Sequence, residues 1–138
     1  MQQMVMLNTR PQDAYRKQDV LTASPVDLVV MLYDALKRNI VMGKRGIINK
    51  NVPTAHKHLM KAQMILTELI NSLDMNYQIS EELLDLYEFA LKSIADANMH
   101  KNVEPLDPII EMVDSIREAW KEISNSNRGT MQLGEERA

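Results

Sequence analysis

Few residues in this chain have the type and spacing that chemistry needs. His56 and His58 stand two apart, so on a helix they point to different sides and cannot hold one ion between them. A carboxylate metal bundle requires Glu-x-x-His on each of two helices, and the sequence contains no such tetrad. There is no cysteine, which removes disulfides, thiolate metal sites and cysteine nucleophiles together. No glycine-rich stretch could cradle a phosphate, and Ser24 before Pro25 reads as a helix cap rather than a nucleophile. The expectation is a non-enzyme with no catalytic residue, no metal and no cofactor. Function must then lie in a surface, and the helices that shape it carry the rest of the reading.

The first long helix, Val20 to Ile48, has an explicit start. Ser24 is expected as N-cap, Pro25 occupies the first helical position, and Asp27 supplies the acidic third residue of a capping box. At about 100° per residue its apolar side chains, Leu28, Val29, Met31, Leu32, Tyr33, Ala35, Leu36, Ile40, Met42 and Ile47, cover roughly 200° of the circumference. One neighbour needs about half of that. Either several helices wrap this one, or part of its apolar surface awaits a partner. On its outer side Val30, Val41 and Ile48 form a narrow strip bordered by Asp27, Asp34, Lys37 and Lys44.

Three more helices follow. Asn51 is expected to cap a helix from Val52 to about Leu73, whose seam is Ala55, Leu59, Ala62, Leu66, Leu69 and Leu73, with Met60, Met64 and Thr67 opposite. Ser80 reads as the next cap, with Ile79 stapled against Leu84 and a seam of Leu83, Tyr87, Ala90, Ile94 and Ala97; Phe89 points away. The last helix is expected after Asn102 or, more sharply, Asp107 with Pro108 at its first position, and a seam of Leu106, Ile109, Val113, Ile116, Trp120 and Ile123. Lys-Asn-Val occurs at both Lys50 to Val52 and Lys101 to Val103, each time after a long helix. Short loops and four seams predict an all-α fold, an antiparallel up-down four-helix bundle.

At 138 residues the chain is one domain's worth. The expected division is an N-terminal arm or short helix over 1–19, a bundle over 20–124 and a disordered tail over 125–138. The opening MQQMVMLNTRPQ lacks the form of a signal peptide and no apolar run would span a bilayer, so a cytoplasmic protein without membrane insertion is expected. Residues 25 to 51 carry five basic and two acidic groups, and 102 to 124 carry two basic and six acidic ones. Such opposed charge suits neighbouring helices and argues against nucleic-acid binding. The 11 methionines are mostly core filler, with Met60 and Met64 the candidates for an adaptable binding patch.

Tyr15, Val20-Leu21-Thr22-Ala23-Ser24-Pro25, Leu28 and Met31-Leu32-Tyr33-Asp34 together resemble the signature of FliS, the flagellar export chaperone family. The likeness continues through Lys61-Ala62-Gln63, Leu73-Asp74, Leu86-Tyr87, Ala97-Asn98 and Ile116-Arg117-Glu118-Ala119-Trp120-Lys121. Ala35 departs from the family's usual glycine, and Pro105 and Pro108 are unusual in its final helix. The resemblance implies a cytosolic four-helix chaperone that binds the disordered C-terminal segment of flagellin, blocks premature polymerisation and delivers it to the flagellar type III export gate. It also extends the partners to other flagellar regulators, for a monomer or weak homodimer. Client contacts are expected at Tyr15, Leu21, Leu28, Met31, Tyr33 and Asp34, together with the outward Val30, Val41, Ile48, Met60 and Met64, the last five bordering one groove between the first two long helices. Met4, Val5, Met6 and Leu7 of the arm are expected to cover that groove when no client is bound. Two alternatives stay open: His58-Leu59-Met60-Lys61-Ala62 is distantly similar to histidine phosphotransfer bundles, and a helical scaffold that only self-associates would share this pattern.

Overall fold

The first and third described helices are ended by the same local device, a left-handed lysine followed by an asparagine whose amide closes back on the helix. α1 (Pro25–Ile48) stops where Lys50 turns into the left-handed region at φ 56°, and the next amide, that of Asn51, closes back on the Gly46 carbonyl at 2.8 Å. Asn51 then caps α2 (Val52–Asn71), its side chain accepting from the Thr54 amide. α3 (Gln78–His100) ends in the same way: Lys101 has φ 50° and the Asn102 amide returns to Ala97 at 3.0 Å. The repeated Lys-Asn pair is therefore a repeated helix stop. α4 (Leu106–Arg137) comes after a turn in which the Asn102 side chain accepts from Glu104.

The computed structural model describes residues 25–137, and among them no strand occurs. The arm, Tyr15, Leu21 and the Ser24 cap lie outside the described residues. Successive helices run antiparallel, α4 returns beside α1, and of the neighbouring pairs α3 and α4 touch each other least. The four-helix bundle is thus the fold. Its core comes from all four seams: Tyr33, Leu36 and Ile40 from α1, Leu59, Ala62, Leu66 and Leu69 from α2, Leu83, Tyr87, Ala90, Ile94 and Ala97 from α3, and Leu106, Ile109 and Val113 from α4. Within it the Tyr33 and Tyr87 hydroxyls hydrogen-bond to each other, with ring centroids 6.4 Å apart and planes at 51°. Burial pushes both phenols above their ordinary range, so both stay protonated.

α1 and α2 meet unusually closely at two glycines. A Cβ on Gly43 would lie 2.4 Å from Leu59 Cδ2, and one on Gly46 would lie 2.6 Å from the backbone nitrogen of Ala55. Only hydrogen fits at either place.

Two local expectations change. Ser80 is not the cap of α3; the helix starts two residues earlier, and Ser80 is buried with its hydroxyl donating to the Asp74 carbonyl at 2.6 Å, tying the turn to the helix. α4 begins at Leu106, which makes Pro108 its third residue, still inside the first turn where amides have no intrahelical acceptor. Beyond Trp120, the last described residue packed against the core, helical backbone continues to Arg137. A helix already nucleated can extend past its last tertiary contact because each added residue contributes its own hydrogen bond.

Candidate functional site

The outer strip of α1 is fixed by its charges. Asp34 is paired with Arg117, Lys37 with Asp114 at 2.9 Å, and Lys44 with Asp107 at 2.6 Å, so all three partners belong to α4. Val30 and Val41, on the same strip, are consequently half-buried along the α1–α4 side; only Ile48, at the helix end, is well exposed at 59%.

The faces of α2 are marked by its two histidines. The His58 ring meets the Asn39 side chain of α1 at 2.9 Å, and the His56 ring meets Asn98 of α3 at 3.2 Å. Met60, four residues beyond His56, lies on the side of α2 toward α3, and Met64, one turn further, points outward away from the seam. They are 41% and 67% exposed. The expected single groove bordered by Val30, Val41, Ile48, Met60 and Met64 is therefore not formed: the strip of α1 turns to α4, Met60 turns to α3, and Met64 points outward. Periodicity shows that a face is unpaired, but not which neighbour it adjoins.

The other expected contact residues are also separated. Tyr33 is 1% exposed inside the core and offers no surface, whereas Asp34 is paired with Arg117 but stays partly exposed. Tyr33 is enclosed because the wide apolar arc of α1 is shared between α2, α4 and the central core. Leu28 is half-buried, and Met31 is 43% exposed.

Opposite Met60, α3 supplies a row that helical periodicity alone did not single out. Leu84, Leu91 and Ala95 share the face of Asn98 by their spacings of seven, four and three, and each is half-buried beside the α2–α3 seam. The doubled leucines and alanine-leucine pair, Leu83-Leu84 and Ala90-Leu91, are the signal that could have shown it, because the second member of each pair extends the seam toward one neighbour. Met99 stands further out at the same end of α3, 75% exposed. Around α3 toward α4, where packing is thinnest, Leu86 and Phe89 are exposed as well. Isolated exposed apolar side chains are ordinary, but rows of them along two helix seams form a surface suited to an amphipathic partner.

No group of three or more histidines and carboxylates among the described residues is arranged to hold a metal ion. No described helix is long and apolar enough to cross a membrane.

Comparison with known proteins agrees with this architecture. The family profile described as Flagellar protein FliS matches residues 6–127. A Bacillus subtilis protein named Flagellar secretion chaperone FliS is 30% identical over 118 residues, spanning 86% of this chain and 89% of that one. A protein of the same name from Vibrio cholerae is 32% identical over 116 residues, spanning 80% and 85%. A bacterial flagellar chaperone solved by crystallography superposes with a TM-score of 0.71, over 85% of this chain and 99% of its own, at 15% identity, a likeness of fold alone.

Proposed function

Because this chain belongs to the FliS family of flagellar proteins, we propose that it is a cytosolic export chaperone that holds the C-terminal segment of flagellin, keeps it from polymerising and passes it to the flagellar type III export gate. The observation that supports a client surface most directly is the apolar surface beside the α2–α3 seam, exposed Met60 and Met64 on α2 and half-buried Leu84, Leu91 and Ala95 on α3, on a bundle whose core is already complete. A disordered client that becomes helical on binding would lay its apolar face along such a seam. Methionine suits this task because its flexible thioether adapts to more than one apolar contour. Exposed Leu86 and Phe89 offer a further stretch for the same extended client. The apolar start of the chain, Met4 to Leu7, is proposed to cover client surface in the free chaperone, so deleting residues 1–12 should tighten binding.

The test is co-purification with full-length flagellin and with flagellin lacking its C-terminal segment. Binding to the first and loss with the second is expected. The site is tested by Met60→Asp combined with Met64→Asp, both exposed and outside the core, which should weaken binding by about tenfold or more while leaving the melting curve in place. Unchanged affinity in a folded double variant would move the client off the α2–α3 seam.

A further inference from the structure

Charge divides the bundle. Five of the six charged side chains of α3 are acidic, whereas the exposed outer faces of α1 and α2 carry Arg38, Arg45, Lys57 and Lys61. None of these four has an ion pair among the described residues, in contrast to Lys37 and Lys44, which are committed to α4. Their placement is ordered. Arg38 and Arg45, seven apart, line the outer side of α1. Lys57 and Lys61 bracket His58, the residue that reaches α1 through Asn39, and both act on its ring electrostatically. Between the two basic rows, helical spacing puts Met31, Ala35 and Met42 in one line, with Met31 43% exposed.

We propose that this outer face of the α1–α2 layer is a docking site for an acidic amphipathic helix of a protein partner, distinct from the client seam on α2–α3. Neighbouring helix axes are about 8 to 10 Å apart, so basic rows on two adjacent helices are spaced to meet the two flanks of a helix laid along them. The occupant's apolar stripe would rest on Met31, Ala35 and Met42. Carboxylates on both of its flanks would meet Arg38 and Arg45 on one side and Lys57 and Lys61 on the other. A bare polyanion would satisfy the four cations but give the methionine row nothing to bury against, and a neutral amphipathic helix would leave the cations without partners. Because all four cations are exposed, their contribution is to encounter and selection, and it must fall with salt.

The probe is a synthetic fluorescent helix of about 18 residues, with leucines on one face and glutamates on both flanks, titrated with the full chain. Two further peptides carry glutamine or lysine in place of glutamate. The glutamate peptide should bind at least about tenfold more tightly than either, and its affinity should fall between about 50 and about 200 mM salt. Arg38→Glu with Lys61→Glu should remove about tenfold or more of that affinity, and Lys57→Ala with Lys61→Ala provides a milder variant should the reversal disturb folding. Glu82→Lys with Glu88→Lys on α3 should leave binding unchanged. The proposal is overturned if the glutamine peptide binds as well, if the α1–α2 variants bind normally, or if duplex DNA or phosphatidylserine vesicles are bound while the peptide is not. Sedimentation showing oligomers that both the α1–α2 and the α3 reversals dissolve would also overturn it, by making a second copy of the chain the occupant.

Discussion

Gly46→Ala is the substitution whose sign is contested by two opposite effects of similar size. Helix propensity alone favours alanine in mid-helix by about 1 kcal/mol. The structure opposes it, because the new Cβ would lie 2.6 Å from Ala55 N, 2.9 Å from Ala55 Cα and 3.1 Å from Ala55 Cβ. Ordinary contact between such atoms is about 3.5 to 4.0 Å, so α1 and α2 must part by roughly 1 Å locally. A gap of that size forfeits a quarter to a half of the dispersion between the facing atoms, and it strains the 2.9 Å contact of His58 with Asn39 on the same seam. Overpacking costs about 1 to 3 kcal/mol, and obstruction by backbone rather than a side-chain tip belongs at the upper end. The net expectation is destabilisation by about 2 kcal/mol, a fall in melting midpoint of about 5 to 10 °C for a chain of this size. Thermal unfolding followed by circular dichroism measures it. Ala55→Gly should not rescue the variant, since the two nearest atoms remain in place. A Gly46→Ala protein that melts at or above the wild-type temperature would refute the close crossing.

Leu66→Ala, at a fully buried seam position, should cost about 2 to 5 kcal/mol by urea titration; a shift too small to resolve would mean that α2 does not turn this face inward. Lys50→Gly should stabilise by about 0.5 to 1 kcal/mol, since it relieves a left-handed backbone at φ 56° at the cost of a freer unfolded chain. Lys101→Gly should gain less in the same titration, because the Lys101 ammonium donates to the Asn98 carbonyl at 2.5 Å and to its side-chain oxygen at 2.8 Å. Burial, followed by Lys57 and Lys61, holds His58 below its ordinary pKa of 6.5, so on acidification the unfolded chain takes up this proton first. The neutral ring's contribution is whole above about pH 6.5 and is lost as pH falls from there through the lower folded value. Urea midpoints across that range should therefore decline less steeply in His58→Gln.

How far the sequence could be read depended on what each pattern encodes. The seams were legible because a residue such as Leu59 or Ile94 recurs with the helix period, and burial follows from period alone. Asn51 was legible because capping is local chemistry between residues three apart. The orientation of the remaining faces was not. Whether Val41 borders α2 or α4 depends on how helices are arranged around the core, and that was settled by Lys37 and Lys44 finding Asp114 and Asp107 more than sixty residues away. Gly43 and Gly46 look in sequence like weak points of a helix, and become meaningful only once Leu59 and Ala55 lie against them. For the same reason the row of Leu84 and Leu91 needed α2 in place to be recognised as one wall of a seam.

The partnership of α4 with α1, rather than with the adjoining α3, has a consequence for the order of assembly. The Arg117 to Asp34 pair joins residues 83 apart, so the last described helix secures the first described one. During synthesis α1, α2 and α3 can associate through local hairpins while the flank of α1 that bears Asp34, Lys37 and Lys44 waits for its counterions. Closing so long a loop costs entropy before any contact is gained, and this sets a late, slow step. A chain stopped before Leu106 would leave the Asp34, Lys37 and Lys44 flank of α1 without its counterions, and a quality-control protease would encounter an open layer of three helices rather than a bundle.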